Sequence, residues 1–147
     1  MINGSVYLCL VGLLLGIDFG LKRTGIAVTD SSMIIASPLL MVPSEALMTW
    51  IKAYHIKNKV SGMVLGFPLS VDGTYTHLTE NVLLLKSALE KEFPDVPVFL
   101  QDERHSSQRA SQAIHQLGKK KHGKDKGIVD KVSAAIILQD YLNERGT

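Results

Sequence analysis

Residues 13–30 read LLLGIDFGLKRTGIAVTD and join two apolar runs through a short, more polar segment. Residues 11–17 and 25–30 are typical of β-strands, and the FGLKRT segment between them is short enough for a hairpin. Asp18 stands where the first apolar run ends. Because a buried carboxylate without a partner is costly, its position predicts that hydrogen bonds, a cation or a metal ion surround it.

The composition is that of one globular domain. The chain has 147 residues, of which 46% are hydrophobic and 20% charged. A net charge of +2 is too small to indicate a nucleic-acid partner by itself, and the single Cys9 excludes an intramolecular disulfide. The apolar residues 6–17 are fewer than the ~20 that span a bilayer, and no basic residue precedes them. We therefore expect no membrane segment and a cytoplasmic location.

The rest of the chain alternates between strand and helix patterns. Further strands are predicted over residues 34–42, 60–67 and 96–103, and Pro38 favours an edge position for the first of them. Helices are predicted from an N-cap at Ser44 through Tyr54, over 78–89, over 106–117 and over about 129–142. The order β-β-β-α-β-α-β-α-α predicts one α/β domain over residues 1–147, with an apolar extension over 1–14 and a mixed sheet flanked by helices.

Three acidic residues stand at the ends of predicted elements. Asp18 ends the first strand, Glu103 ends the last strand, and Asp130 opens the last helix. Carboxylates at strand ends can meet if their strands are neighbours. Three oxygen ligands suit Mg²⁺ or Mn²⁺, and two such ions could clamp a phosphodiester during its displacement. Singly, each acid has a structural alternative, namely a turn cap for Asp18, a pair with Arg104 for Glu103, and a helix cap for Asp130.

A basic loop over residues 119–127 precedes Asp130. Its lysines are Lys119, Lys120, Lys121, Lys124 and Lys126. A lysine-rich loop is often only a solvated surface, but beside an acidic metal site it would hold a nucleic-acid backbone. Lys22 and Arg23, in the turn beside Asp18, could extend the same phosphate-binding track.

The chain resembles the YqgF family (RuvX-like) in five segments: GIDFGLKRTGIAVTD, ASPL at 36–39, GFPLSVDGT at 66–74, DERHSS at 102–107 and KGIVDKVSAAIILQDYL at 126–142. The resemblance extends over about residues 15–142. That family comprises bacterial proteins of the RNase H fold that are linked to Holliday junction resolution and to pre-16S rRNA processing. The resemblance implies a ribonuclease H-like fold, with a five-stranded mixed sheet whose first three strands are antiparallel.

The resemblance also implies residue roles. Asp18, Glu103 and Asp130 match the family's catalytic, metal-binding carboxylates, and Arg104 matches the arginine beside the glutamate. The implied activity is that of a nuclease dependent on Mg²⁺ or Mn²⁺. The chain departs from the usual GLP motif at Phe67, which gives GFPL, and His105 follows the DER motif.

The residues alone are compatible with several functions. A nuclease could process the 5′ end of pre-16S rRNA, or it could resolve branched DNA as a Holliday junction resolvase. A nucleic-acid-binding factor that does not cleave is an alternative, as is a sugar-kinase-like ATPase module, which would need a second domain. Symmetric junction cutting requires two sites and hence a homodimer, whereas an rRNA-trimming enzyme could act as a monomer.

Overall fold

The computed structural model describes residues 12–70, 72–103 and 126–145. Its strands are β1 (Leu13–Phe19), β2 (Arg23–Thr29), β3 (Ala36–Pro43), β4 (Val60–Phe67) and β5 (Val98–Asp102). Its α-helices are α1 (Leu47–Asn58), α2 (Thr79–Glu92) and α3 (Lys126–Arg145), with a 3₁₀ turn over Ser44–Ala46. The predicted helix over 106–117 and the lysines of 119–124 lie outside the described residues.

The five strands form one mixed sheet in the order β3-β2-β1-β4-β5. The first three strands pair antiparallel, whereas β1, β4 and β5 run parallel. This confirms the predicted ribonuclease H-like sheet, and β3, with Pro38, lies at an edge as expected. Because β1, β4 and β5 share one direction, their last residues lie at the same end, which we call the carboxyl end of the sheet.

Alternation along β1 gives the sheet two apolar faces. Leu15 and Ile17 are buried on the face that α1 and α2 cover, whereas Leu14 is buried on the face that α3 covers. The α1 and α2 side chains of the first cluster include Leu47, Ile51, Val82 and Leu89. The α3 side chains of the second include Ala134, Ile137 and Leu138. Among the described helices, α1 and α2 therefore pack on one face and α3 packs on the other.

Glycines allow α3 to lie directly on the backbone of the sheet. A Cβ added to Gly16 would stand 2.9 Å from the carbonyl oxygen of Ala134, and one added to Gly25 would stand 2.8 Å from the amide nitrogen of Lys131. Real Cβ atoms essentially never approach other atoms this closely. The two glycines therefore set the height of α3 above β1 and β2.

Three element boundaries differ from the predicted ones near the acidic residues. β1 continues through Phe19 because Asp18 pairs with Gly25 of β2, so Asp18 lies inside the strand. β5 ends at Asp102 and leaves Glu103 just beyond it. Helix α3 begins at Lys126, so Asp130 lies inside the helix, and the prediction that it opens the helix is wrong.

Ser44 does not cap the first α-helix. It begins the 3₁₀ turn, and α1 starts three residues later without a side-chain cap. The Ser44 hydroxyl instead donates to the carbonyl oxygen of Gly20 at 2.5 Å and shares a hydrogen bond with the Thr24 hydroxyl at 2.8 Å. Ser44, which the local pattern predicted as a helix cap, thus binds the β1–β2 turn to the end of β3.

The α-helices α1, α2 and α3 of the described residues have 12, 14 and 20 residues. A membrane-spanning helix needs about 20 consecutive, mostly apolar residues. Helix α3 has the length but carries charged residues such as Lys131 and Asp140. Within the described ranges, no helix is long and apolar enough to cross a membrane.

The loop between β4 and α2 is fastened by the fully buried Thr79. Its hydroxyl donates to the carbonyl oxygen of Pro68 at 2.6 Å and accepts from the amide of Thr76 at 2.8 Å. Since Pro68 directly follows β4, these two bonds hold the start and the end of the loop together.

We expect Thr79→Val to lower the free energy of unfolding by about 1–3 kcal/mol, because valine keeps the shape but leaves the Thr76 amide without its acceptor. The change should appear as a fall in Tm of roughly 3 °C or more. Thr49→Val is the matched control, since Thr49 is exposed on α1. Equal Tm values for the two variants would contradict a fastening role for the buried hydroxyl.

Candidate active site

The side chains of Asp18 and Glu103 share a hydrogen bond at the carboxyl end of the sheet. Their elements, β1 and β5, are separated by β4. The two acids therefore meet although their strands are not neighbours, whereas neighbouring strands were the arrangement considered from the sequence. The contact is possible because of Gly66 on β4, where an added Cβ would stand 2.5 Å from Oε2 of Glu103. A glycine in the intervening strand leaves room for the longer side chain to reach across.

Glu103 is held in place although it lies beyond the strand. Its amide donates to the carbonyl oxygen of Phe67 at 3.3 Å, and Phe67 pairs with Asp102 in the β4–β5 register. The parallel ladder therefore continues for one more residue. This bond orients the glutamate backbone toward Asp18.

The two carboxyl groups are electrostatically strained. Burial raises the pKa of Asp18 well above its ordinary value, and the charge of Glu103, their shared hydrogen bond and the charge of Asp130 add to the shift. Burial also raises the pKa of Glu103, partly opposed by the hydrogen bond from Asp18, while the charge of Asp102 adds to the rise. A cation bound between the two carboxyl groups would relieve the repulsion between them.

Asp130 lies beside the pair and is bound by an arginine. Its Oδ2 accepts from Nε of Arg23 at 3.0 Å, with the two side chains 24% and 37% exposed. Its charge contributes to the raised pKa of Asp18, so all three predicted carboxylates are gathered in one region. Arg23, which we predicted as a phosphate contact, has a protein carboxylate as its partner here.

The register of β1 and β2 explains how Asp130 comes near Asp18. Asp18 pairs with Gly25, and cross-strand partners project from the same face of a sheet. Because Gly25 has no side chain, the backbone of Asp130 occupies the space beside it. Helix α3 therefore places the Asp130 carboxylate on the face of the sheet from which the Asp18 side chain projects.

The sequence patterns assigned no role to Gly25 or Gly66. They also did not predict that Ser44 binds the β1–β2 turn. Glycines inside apolar strand runs often mark the close approach of another backbone, and that signal was present in the sequence. Ser44 also donates its amide to the carbonyl oxygen of Lys22 at 2.9 Å. It thereby fixes the turn that presents the exposed Lys22 near Asp18.

Most of the predicted basic track falls outside the described residues. This applies to Arg104, Lys119, Lys120, Lys121 and Lys124. Lys126 belongs to the first turn of α3 and not to the preceding loop, and its side chain is not described. The phosphate-binding role of these residues stays a prediction.

The carboxylates of Asp18, Glu103 and Asp130 are the type of ligand that binds a hard divalent cation. Across residues 12–70, 72–103 and 126–145, no three His, Cys, Asp or Glu side chains are arranged to hold a metal ion. Asp18 and Glu103 are nonetheless adjacent, partly buried oxygen donors with raised pKa values, and Mg²⁺ and Mn²⁺ prefer oxygen ligands. Asp130, the third oxygen donor, is engaged by Arg23.

A mixed five-stranded sheet with partly buried carboxylates at its carboxyl end is typical of a ribonuclease H-like protein. The solved structure "T. thermophilus RuvC in complex with Holliday junction substrate" shares this fold, with a TM-score of 0.54 and 14% identity over 92% of this chain and 97% of the other. A family model described as "RuvX: Holliday junction resolvase" matches residues 12–144. The chain belongs to the RuvX family, which confirms the resemblance noted from its motifs.

Relatives of nearly the same length carry one name, "Putative pre-16S rRNA nuclease". The protein of Flavobacterium johnsoniae is 39% identical over 133 residues, which cover 90% of this chain and 96% of the relative. The protein of Phocaeicola vulgatus is 41% identical over the same shares of both chains. This chain is therefore a member of a nuclease family.

Proposed function

We propose that the protein is a metal-dependent nuclease that hydrolyses phosphodiester bonds during 5′-end processing of pre-16S rRNA. The observation that carries the proposal is the partly buried Asp18–Glu103 pair, with Asp130 beside it. Two adjacent carboxyl groups are costly to bury, and such groups gather at functional sites. The names of the relatives from Flavobacterium johnsoniae and Phocaeicola vulgatus support the RNA substrate.

Asp18, Glu103 and Asp130 would hold Mg²⁺ or Mn²⁺. When bound, the metal supplies positive charge to the attacking and leaving oxygens of the phosphodiester. Partial burial of Asp18 limits the contact of this charge with bulk water and so strengthens its effect. The Arg23 guanidinium holds the Asp130 carboxylate beside the pair, and the exposed Lys22 contacts a substrate phosphate.

The remaining finer predictions belong to the same proposal. One catalytic domain over residues 1–147 acts in the cytoplasm, where ribosomal RNA precursors of bacteria are matured. The basic residues from Lys119 to Lys124 extend the contact with the nucleic-acid backbone, which is negatively charged along its whole length. A monomer is sufficient for trimming one RNA end.

A four-way DNA junction is the second candidate substrate. The matching family model is described as a Holliday junction resolvase, and the RuvC structure that shares the fold is a complex with a Holliday junction substrate. Resolution requires two symmetric cuts, so this activity would come with a homodimer. The oligomeric state is thus a second observable that separates the two substrates.

The direct test is cleavage by the purified protein with Mg²⁺ or Mn²⁺. We expect faster cutting of an end-labelled, 5′-extended 16S rRNA precursor than of a four-way DNA junction, and no cutting in EDTA. Glu103→Gln, purified in parallel, controls for contaminating nucleases, because it keeps the side-chain shape but removes one of the paired charges.

Preference for the junction would replace the RNA assignment with the second candidate. If the wild-type protein cuts neither substrate with either metal but binds RNA, the nuclease proposal fails and a non-cleaving binding factor takes its place. Equal cutting by Glu103→Gln would also contradict the assignment, since the activity would then not depend on the carboxylate pair.

A further inference from the structure

A cavity of about 1070 Å³ lies at the end of the sheet opposite to the acidic pair. Its walls include Leu14 near the start of β1, Val60 at the start of β4 and Phe99 near the start of β5. Because these three strands run parallel, their first residues are at the end away from Asp18 and Glu103. The cavity is therefore separate from the candidate active site.

The last turns of two helices complete the walls of the cavity. Ile56 belongs to the end of α1, whereas Tyr141 and Arg145 belong to the end of α3. The Tyr141 ring stacks on the Phe99 ring, with centroids 5.2 Å apart and an interplanar angle of 27°. Cζ of Arg145 lies 5.8 Å from the centroid of the Tyr141 ring. These ring contacts fix the aromatic wall of the cavity.

Exposed isoleucines belong to the cavity lining or directly adjoin it. Ile56 lines the cavity and is 85% exposed. Met33 also lines it, and the next two residues, Ile34 and Ile35, are 63% and 61% exposed. Their turn is closed by Asp30, whose Oδ1 accepts from the two isoleucine amides at 2.9 and 3.2 Å. Apolar surface grouped beside a cavity is typical of a surface that another segment covers.

The size and the chemistry of the cavity indicate an apolar occupant with several side chains. Its volume is at the top of the ~300–1,000 Å³ range that is typical of ligand sites, far above the small voids left by ordinary packing. Its charged lining residues have both signs, with Lys59 and Arg145 against Asp95, whereas most of the others are apolar. A short apolar stretch of polypeptide meets both requirements.

Gly12, the first residue of the described part of the chain, lies beside this cavity. A Cβ added to Gly12 would overlap the Ser61 side chain and stand 3.1 Å from the carbonyl oxygen of Lys59, and both of these residues line the cavity. Gly12 has a φ of +126°, which glycine adopts without strain, and the chain bends there before β1. Residues 1–11, which lie outside the described part, are thus attached at the cavity wall.

We propose that residues 6–11, VYLCLV, cover the cavity and place apolar side chains in it. All six residues are hydrophobic, and none is charged. Six extended residues span up to ~20 Å, about twice the ~10 Å edge of a cube with the volume of the cavity. The segment is therefore long enough and apolar enough to fill the cavity. This packing does not depend on the nuclease activity.

Attachment favours this occupant over a free ligand or a second copy of the chain. A tethered segment acts at an effective concentration in the mM range when its linker is short, and here the linker is Gly12 alone. A second copy would have to bind at its own, lower concentration. The two occupants are therefore distinguishable by dilution.

The single thiol of the chain, on Cys9, reports on the segment. Its rate of reaction with N-ethylmaleimide is measured in the native wild type and, as a reference, in guanidinium chloride. We expect the native rate to be about tenfold or more below the unfolded rate, because a covered thiol reacts only in the fraction of molecules whose segment is released. Leu8→Ser/Leu10→Ser should remove this protection and raise the fluorescence of added 8-anilinonaphthalene-1-sulfonate, which binds exposed apolar surface.

Matched variants locate the surface that the segment covers. Asn3→Ala/Ser5→Ala changes the same part of the chain outside the apolar stretch and should keep the protection. Ile56→Ser removes an exposed side chain of the cavity lining and should speed the native reaction about 3- to 10-fold, since one apolar contact with the segment is lost. Leu84→Ser, at a 69% exposed position of α2 that does not line the cavity, should leave the rate unchanged.

A native Cys9 thiol that reacts at the unfolded rate would overturn the proposal. So would protection that falls on about 100-fold dilution, which would assign the cavity to a second copy of the chain. Equal native rates for the wild type and Ile56→Ser would show that the segment packs elsewhere. Ile56 and Leu84 are both exposed, so a loss of folding does not account for a difference between their serine variants.

Discussion

Asp18→Asn is expected to abolish cleavage and at the same time to stabilise the metal-free protein. Loss of activity should be at least about 100-fold, since even residues that only support metal ligands cost 10- to 100-fold when changed. The gain in stability has a separate cause. Asparagine removes a buried charge next to Glu103 and can still donate a hydrogen bond to it.

The stability gain should depend on pH in a definite direction. Because the pKa of Asp18 is raised on folding, the folded state binds a proton more tightly than the unfolded state, whose pKa is close to 3.8. The favourable contribution is complete below that pKa and is lost as the pH rises through the pKa of the folded state. The Tm difference between Asp18→Asn and wild type should therefore be small near pH 4 and grow toward pH 8.

Thermal unfolding in EDTA and in Mg²⁺ measures both effects. Mg²⁺ should raise the Tm of the wild type, because a ligand that binds only the folded state stabilises it, and should not raise that of Asp18→Asn. Asp30→Asn is the matched control. Asp30 follows β2 at the opposite end of the sheet, and its Oδ1 accepts from the amides of Ile34 and Ile35, which an asparagine oxygen can also do.

Activity retained by Asp18→Asn would contradict the assignment of the acidic pair. A Tm difference from the wild type that does not change with pH would contradict the electrostatic origin of the stability gain. In Asp30→Asn, we expect full activity and an unchanged response to Mg²⁺.

The second large effect is expected from Gly25→Ala. The added Cβ would stand 2.8 Å from the amide nitrogen of Lys131 and closer still to the carbonyl oxygen of Asp130. Both atoms belong to the backbone of α3, so the contact cannot be relieved by turning a side chain. We expect a loss of at least about 2–4 kcal/mol in the free energy of unfolding, and a helix displaced from the sheet.

Denaturant unfolding and cleavage assays check this prediction together. A shifted α3 moves Asp130 away from Asp18, so activity should fall even in the fraction that is folded. Gly62→Ala is the matched control, because its Cβ would meet the end of the Leu14 side chain, which can move. Equal stability of the two alanine variants would show that α3 does not depend on a bare backbone at Gly25.

Local pattern was enough for much of the fold. The two apolar runs joined by the short FGLKRT segment predicted the hairpin, Pro38 predicted the edge strand, and the spacing from Leu78 to Leu89 predicted α2. Such patterns report which residues are buried and with which period, and these properties depend on near neighbours in the chain. The family motifs then specified the ribonuclease H-like topology, which periodicity does not encode.

The acidic site itself was decided by tertiary structure. The sequence placed Asp18 and Glu103 at strand ends, but their contact depends on the strand order and on the missing side chain of Gly66. The Arg23–Asp130 pair joins residues 107 positions apart, and no local pattern relates them. The sequence alone was thus enough to identify the acidic residues and the chemistry they could perform. It did not show which residues contact one another, because these contacts depend on the register of the strands and on the height of α3 above the sheet.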